Sequence, residues 1–144
     1  MDKDIVVVIG EDDEGHALLI KRNLQRSGIA NPILHFSNGQ DIINYFFDQI
    51  ETNKINQKGH ILLLDIKMPK ADGIEVLEKL KSQEQLRHIP VIMITTTDSP
   101  KEIEICHKLG CNSYIVKPIN YEKFIEVVRQ LGFFLKIVQI PKMH

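Results

Sequence analysis

Five short apolar runs alternate with segments of helical periodicity, and this alternation constrains the fold more than any other feature of the sequence. Continuous apolar runs bounded by polar residues are typical of strands buried on both faces. The runs are Ile5–Ile9, Pro32–Phe36, Ile61–Leu64, Pro90–Thr95 and Ser113–Val116. A strand followed by a helix, repeated five times, predicts a doubly wound α/β fold. Its parallel sheet is expected to be covered by helices on both faces, with right-handed crossovers.

Local signals mark where these elements begin and end. Asp72 with Glu75 three residues later resembles a capping box that starts a helix. Met68–Gly73 is predicted to be a turn, because proline fixes φ and glycine permits positive φ. The polar segment Glu51–Gly59 is predicted to be an exposed loop or a frayed helix end. Gly10 follows the first run, and glycine there predicts a loosened strand end or a bulge.

Composition excludes several classes of protein. The 144 residues fit one domain, and the net charge of −1 gives no sign of a nucleic-acid-binding surface. No apolar stretch approaches the length of a membrane span, and the N-terminus lacks the layout of a signal peptide. We therefore expect a cytoplasmic protein with neither nucleic acid nor membrane as a partner. In that setting Cys106 and Cys111 are expected to be reduced thiols.

Charged and hydroxyl side chains follow four of the apolar runs. Glu11 and Asp12 come after the first run, Asp65 after the third, Thr95 ends the fourth and Lys117 follows the fifth. The carboxyl ends of parallel strands meet at one edge of a sheet, where such folds bind ligands. Clustered carboxylates repel one another unless a cation joins them, and oxygen ligands suit Mg²⁺. A carboxylate can also attack phosphorus to form an acyl phosphate, so the pattern predicts a magnesium-dependent phosphoryl site.

These residues resemble the motifs of the receiver domains of two-component response regulators. The matching residues are Glu11-Asp12, Asp65 with Met68-Pro69 and Asp72-Gly73, Thr95, and Lys117-Pro118. Thr95 lies 30 residues after Asp65, and Lys117 lies 22 residues after Thr95, as is usual in that family. The resemblance covers nearly the whole chain. It implies a flavodoxin-like five-stranded parallel sheet in strand order 2-1-3-4-5 with five helices. It also implies a single receiver domain over residues 1–144, with 132–144 as a C-terminal extension.

The resemblance also implies a role for each matching residue. Asp65 is expected to be the phosphoacceptor, and Thr95 and Lys117 are expected to contact the phosphoryl group. The expected Mg²⁺ ligands are Glu11, Asp12, Asp65 and the backbone carbonyl of Lys67. Thr95 and Tyr114 are expected to form the conformational switch. From the residues alone, three alternatives stay open. Either Glu11 or Asp13 completes the acidic pair with Asp12, the Lys67 side chain covers the site or is solvated, and Tyr114 is a switch or a half-buried strand aromatic.

Two segments are longer than in minimal receivers, Asp48–Gly59 and the tail Gly132–His144. This resembles the single-domain regulators that are paired with bacterial, notably cyanobacterial, phytochromes. The apolar tail has two interpretations: a longer last helix packed on its own domain, or a contact with a second copy or a partner. The histidines show no metal-ligand spacing and are interpreted as structural or surface residues; those considered are His16, His35, His60, His88 and His107.

Two classes of function compete. The first is a response regulator that accepts a phosphoryl group from a histidine kinase on Asp65 and signals through protein contacts, without being an enzyme. The second is a magnesium-dependent phosphatase with an aspartyl nucleophile. Such an enzyme normally needs a general acid two residues after its nucleophile, and here that residue is Lys67. A receiver-like protein that is never phosphorylated is a third possibility, against which the complete motif set argues.

Overall fold

The predicted alternation of strands and helices is confirmed by the computed structural model, which describes residues 1–138 and residue 140. In chain order the elements are β1 (Val6–Gly10), α1 (Glu14–Arg26), β2 (Ile33–Phe36), α2 (Gly39–Glu51), β3 (His60–Leu64), α3 (Gly73–Ser82), β4 (Val91–Thr95), α4 (Pro100–Leu109), β5 (Ser113–Val116) and α5 (Tyr121–Ile137). All strand pairs are parallel, and the sheet order is β2-β1-β3-β4-β5, as the resemblance implied.

The sheet separates two apolar cores, because successive residues of a strand point to opposite faces. In β1, Val6 and Val8 pack toward α2, α3 and α4, whereas Val7 and Ile9 pack toward α1 and α5. The central strands β3 and β4 alternate in the same way. Burial on both faces explains why these strands are continuous apolar runs and not alternating patterns.

Each helix begins at a residue whose side chain accepts a hydrogen bond from a backbone N–H of the first turn. These N-cap residues are Asp13, Asn38, Asp72, Ser99 and Asn120. The predicted capping box is present: the Glu75 N–H donates to Asp72 at 2.9 Å, and the Glu75 carboxylate accepts from the Asp72 N–H at 3.5 Å. A cap of this kind typically stabilises a helix by about 1 kcal/mol.

The bulge prediction for Gly10 is wrong. Gly10 is the last residue of β1 and stays in regular register, opposite Phe36 of β2 and Leu64 of β3. A Cβ atom at this position would lie 2.6 Å from Cδ1 of Ile42 and 2.9 Å from Cδ1 of Leu64. A side chain here would displace the ends of Ile42 and Leu64, so Gly10 marks a place where α2 packs closely against a regular strand.

Two local predictions were partly wrong. In the turn Met68–Gly73 the residue with positive φ is Lys70, at 69°, and not the glycine. In the segment after α2, Ile55 is only 2% exposed, although most of its neighbours face solvent. Ile55 joins the core on the α2 side of the sheet, so this longer segment is anchored at its centre.

The end of α5 packs against α1, on the face of the sheet opposite α2, α3 and α4. A Cβ atom at Gly132 would lie 2.6 Å from the Ser27 side chain, so the two helices approach closely at this point. Val138 and residue 140 pack against the same core as α1 and α5. Three apolar side chains of this segment stay exposed: Phe133, Phe134 and Ile137. Of the predicted extension 132–144, residues 139 and 141–144 lie outside the described part of the chain.

Both cysteines are free thiols, as expected, and both are buried. Within the described part of the chain, no helix is long and apolar enough to cross a membrane.

One buried histidine couples the fold to pH. His60 opens β3, is 2% exposed, and its Nε2 lies 2.9 Å from the Tyr45 hydroxyl. Its ring also meets Phe46 edge to face, with the centroids 5.3 Å apart. Burial lowers the pKa of His60 to about 4, so the ring is neutral in the folded protein at neutral pH. The interpretation of this residue as structural agrees with its position.

We expect His60 to make the protein less stable in acid. Because its pKa is lower folded than unfolded, its contribution is complete above about pH 6.5 and is lost as the pH falls toward 4. Relative to His60→Gln, the wild type should lose about 3 kcal/mol more of its unfolding free energy between pH 7 and pH 4. Urea unfolding at several pH values measures this, with the exposed His88→Gln as control. Parallel pH curves for the wild type and His60→Gln would contradict it.

Candidate functional site

The site lies where the strand order reverses, at the carboxyl ends of β1 and β3. Glu11 follows β1, and its N–H donates to the Phe36 carbonyl at 3.0 Å while its own carbonyl accepts from Nε2 of His35 at 2.7 Å. Asp65 follows β3, and its N–H donates to the Gly10 carbonyl at 2.9 Å. The sheet ladder thus continues one residue beyond both strands and fixes the backbone of both acids.

Three carboxylates meet at this edge. One oxygen each from Glu11, Asp12 and Asp65 lies within 4.8 Å of the others. Glu11 and Asp65 are buried, whereas Asp12 faces solvent. Asp13 is instead the N-cap of α1, where its Oδ1 accepts from the His16 N–H at 3.0 Å, so Glu11 completes the acidic set. An oxygen-only set open to solvent on one side fits a hard divalent cation.

The Lys117 ammonium lies among these acids. It donates to Glu11 and, at 3.0 Å, to Oδ2 of Asp65. Its third contact is Nδ1 of His16, at 3.1 Å. The Lys117 backbone is fixed in turn, because its N–H donates to the Thr95 carbonyl at 2.7 Å. Lys117 is only 5% exposed, so its charge must be compensated by these neighbours.

The environment moves the pKa values of the two buried acids in opposite directions. Burial raises the pKa of Glu11 well above its usual range, the hydrogen bond from Lys117 opposes the rise, and the charge of Asp65 adds to it. Burial also acts to raise the pKa of Asp65, but the Thr95 hydroxyl and the Lys117 ammonium outweigh it and hold that pKa below its usual range. Asp65 is therefore ionised at neutral pH, as a carboxylate nucleophile must be.

Thr95 and Tyr114 are connected through one residue. The Thr97 N–H donates to the Thr95 hydroxyl at 3.3 Å, and the Thr97 carbonyl accepts from the Tyr114 hydroxyl at 2.7 Å. Burial raises the pKa of Tyr114 to about 12, which keeps the phenol protonated and able to donate. Tyr114 is half-buried on β5, as expected of a strand aromatic, and its role as a switch residue stays a prediction.

The loop after Asp65 is held close to the site. Lys67 lies in it with an exposed side chain. The Gly73 N–H donates to the Ile66 carbonyl at 2.7 Å, and a Cβ atom at position 73 would lie 2.1 Å from the Asp65 carbonyl oxygen. Any larger residue at position 73 would displace the backbone that carries Asp65.

Three residues of the site were missed or misinterpreted in the sequence. His16 and His35 were interpreted as structural or surface residues, yet one contacts Lys117 and the other the backbone of Glu11. His16 stands in the first turn of α1, two residues after the acidic run 11–14, which was an available signal. Gly73 was interpreted as a turn glycine, and no sequence signal separates that role from close packing.

Comparisons with known proteins agree with this geometry. A family model described as the response regulator receiver domain matches residues 7–129. A receiver domain of a response regulator from Rhodospirillum rubrum is 39% identical, with a TM-score of 0.90 over 96% of this chain and 99% of that chain. RcpA, a phosphorylated cyanobacterial phytochrome response regulator, is 27% identical, with a TM-score of 0.84 over 95% and 98% of the two chains.

A third similar structure contains a bound metal ion. The Mn²⁺-bound form of Rcp1, a response regulator of Synechocystis, is 27% identical, with a TM-score of 0.84 over 94% of this chain and 98% of that chain. The predicted resemblance to phytochrome-associated regulators is confirmed by these neighbours. The family match runs without interruption from the strand that leads to Glu11 into the helix that follows Lys117. The chain therefore belongs to the response regulator receiver domain family of two-component signalling.

Proposed function

We propose that this protein accepts a phosphoryl group from a histidine kinase on Asp65, in the presence of Mg²⁺, and signals through a change in its protein contacts. One observation supports the proposal above all: the ionised Asp65 carboxylate lies 3.0 Å from the Lys117 ammonium and next to two further acids. The proposed nucleophile, cation and metal ligands would thus be together at one edge of the sheet before any phosphoryl donor arrives.

In the proposed transfer, a carboxylate oxygen of Asp65 forms a bond to phosphorus while the bond between phosphorus and the donor nitrogen breaks. The electron pair of the broken bond goes to that nitrogen. The donor imidazole keeps a proton on its other nitrogen and departs neutral. The product on this chain is an acyl phosphate, and charge is conserved because one negative charge moves with the phosphoryl group.

The acidic set would hold the metal. Glu11, Asp12, Asp65 and the backbone carbonyl of Lys67 are the proposed ligands, and bound Mg²⁺ would neutralise charge on the phosphoryl oxygens. Lys117 contributes a second positive charge and contacts the phosphoryl oxygens directly. Lys117 donates to one oxygen of Glu11, so the other oxygen of this carboxylate is available to a metal ion.

The phosphoryl group is removed by water. A water oxygen bonds to phosphorus, the bond to the Asp65 oxygen breaks, and its electron pair restores the carboxylate. Inorganic phosphate leaves with the protons of the water. Asp65 is thus an acceptor that is reset, which makes the chain a signalling protein and not an enzyme that turns over an external substrate.

The contact between Thr95, Thr97 and Tyr114 supports a mechanism for the switch. The Thr95 hydroxyl already acts on Asp65, and in following the phosphoryl oxygens it would give up the hydrogen bond from the Thr97 N–H. The Thr97 backbone would then be free to reorient, and its carbonyl, in the next peptide unit, is the acceptor of the Tyr114 hydroxyl. Phosphorylation would therefore bias a two-state element that reaches the surface of α4 and β5.

The proposal also covers the domain boundaries, the partners and the location of the protein. We treat residues 1–144 as one receiver domain in which 132–144 form a C-terminal extension. The exposed Phe133, Phe134 and Ile137 support a contact with a second copy or a partner. The similarity to RcpA supports a phytochrome-linked kinase as the phosphoryl donor. A cytoplasmic location, and partners that exclude nucleic acid and membrane, stay predictions.

The phosphatase alternative gains no support from the geometry. An aspartyl phosphatase needs an acid that protonates the leaving group. At the expected position stands Lys67, whose side chain is exposed and cannot act as that acid.

Replacing the acceptor should abolish phosphorylation. We expect no label on Asp65→Asn after incubation with Mg²⁺ and radiolabelled acetyl phosphate, because an amide oxygen is too weak a nucleophile. The wild type and the exposed control Asp98→Asn should both take up at most one label per chain. A labelled Asp65→Asn would refute the acceptor assignment, and sustained release of phosphate over many cycles per chain would favour the phosphatase.

Removing the exposed acid should weaken metal binding. Calorimetric titration with Mg²⁺ should give Asp12→Ala a dissociation constant raised about tenfold or more, because a hard cation loses a charged oxygen ligand. The neighbouring Asp13→Asn is the matched control, because asparagine caps a helix as well as aspartate does. Equal weakening in both variants would contradict a specific role for Asp12.

Changing the geometry of the cation should separate phosphorylation from the switch. We expect Lys117→Arg to be labelled by acetyl phosphate but to respond weakly, because the planar guanidinium cannot occupy the place of a compact ammonium. The Tyr114 ring resonances, followed by NMR upon addition of beryllofluoride, report the response. Lys123→Arg, on the surface of α5, is the control. A wild-type response of Tyr114 in the Lys117 variant would rule out this role.

A further inference from the structure

His16 brings α1 into contact with the cation of the site. The residue stands in the first turn of α1, and its Nδ1 lies 3.1 Å from the Lys117 ammonium nitrogen. The two residues are 101 positions apart in the chain. No motif of the receiver resemblance includes His16, and the transfer step proposed above does not use it.

The contact completes the hydrogen bonding of a buried cation. An ammonium group has three N–H donors and no acceptor. Here the three acceptors are Glu11 Oε1, Asp65 Oδ2 and His16 Nδ1. His16 is the only uncharged acceptor of the three. When both acids bind a metal ion or carry the phosphoryl group, His16 is the acceptor that stays available to Lys117.

The geometry also fixes the form of the imidazole. Lysine can only donate, so Nδ1 must be the unprotonated nitrogen and the ring proton must be on Nε2. A proton on Nδ1 would instead point at an ammonium 3.1 Å away, while the nearest Glu11 oxygen is farther, at 3.8 Å. The neutral ring with its proton on Nε2 is therefore the form that fits.

Packing holds the ring in this orientation. His16 meets the Phe124 ring of α5 edge to face, with the centroids 5.4 Å apart and the planes at 82°. Its backbone N–H donates to the N-cap Asp13. The Phe124 contact therefore orients the ring of His16, whose side chain is 39% exposed, so that Nδ1 faces Lys117.

We propose that His16 is a positioning residue for phosphoryl transfer, whose neutral Nδ1 accepts a hydrogen bond from Lys117 and aims the ammonium at the phosphoryl oxygens on Asp65. This rests on the proposed function. His16 moves no proton and forms no bond to phosphorus. It acts only through Lys117, in the step in which the bond from Asp65 to phosphorus forms and the bond to the leaving group breaks.

Two substitutions separate this role from simple packing. His16→Asn places an amide oxygen close to the position of Nδ1 but loses most of the contact with Phe124. His16→Leu keeps an apolar contact with Phe124 but has no acceptor. With acetyl phosphate and Mg²⁺, we expect the labelling rate to fall about tenfold in His16→Leu and to stay within about twofold of wild type in His16→Asn, as expected for loss and retention of one hydrogen bond to a charged group.

The opposite order would overturn the proposal. If His16 only packs against Phe124, the leucine variant should label faster than the asparagine variant. Equal rates for the two variants, whether normal or reduced, also count against an acceptor role. Thermal melting of both variants shows whether any change in rate follows from loss of the folded state, and the exposed His88→Leu controls for the substitution itself.

A second measurement needs no phosphorylation. Long-range ¹H–¹⁵N NMR of the histidine rings, assigned by the signal missing in His16→Asn, should show the His16 proton on Nε2. A proton on Nδ1 would overturn the hydrogen bond, whatever the labelling shows.

The two proposals fail in different ways. An unlabelled wild type refutes the proposed function, whereas a labelled wild type with His16→Leu at the same rate refutes only the role of His16.

Discussion

The Lys117 ammonium, buried between Glu11 and Asp65, is the interaction on which the rest of the site depends. Burying an ion is costly unless its partners are placed accurately, and removing one partner leaves an uncompensated charge. Three carboxylates face this one ammonium, so the pocket keeps an excess of negative charge that favours a divalent cation. Burial raises the pKa of Glu11 against the effect of Lys117, whereas the Thr95 hydroxyl and Lys117 hold the pKa of Asp65 below its usual range.

The sheet provides the accuracy that the ion contacts need. Backbone hydrogen bonds carry the ladder past the ends of β1 and β3, and a similar bond joins Lys117 to Thr95. Two glycines then allow the surrounding elements to approach, α2 at Gly10 and the start of α3 at Gly73. The fold therefore fixes the main-chain positions of the site. From these positions the side chains contact one another over short distances.

The same pocket is connected to two surfaces. On one side, Thr97 links the Thr95 hydroxyl to Tyr114 at the edge of the sheet. On the other side, His16 links Lys117 to the packing between α1 and α5. Under the proposed function, a change of charge at Asp65 would act on both connections, because each is a hydrogen bond made by a group that also acts on the acids. Phosphorylation of this side chain would in this way be sensed away from the pocket.

The sequence by itself determined the fold class, the strand order through its resemblance, and the grouping of Glu11, Asp12, Asp65, Thr95 and Lys117, because parallel strands end at a common edge. Only the tertiary structure decided what surrounds them. It packed α2 closely against Gly10, buried Ile55 and placed His16 against Lys117. The physical reason is distance along the chain: periodicity and spacing report local geometry, whereas these contacts join segments that meet only when the sheet is complete.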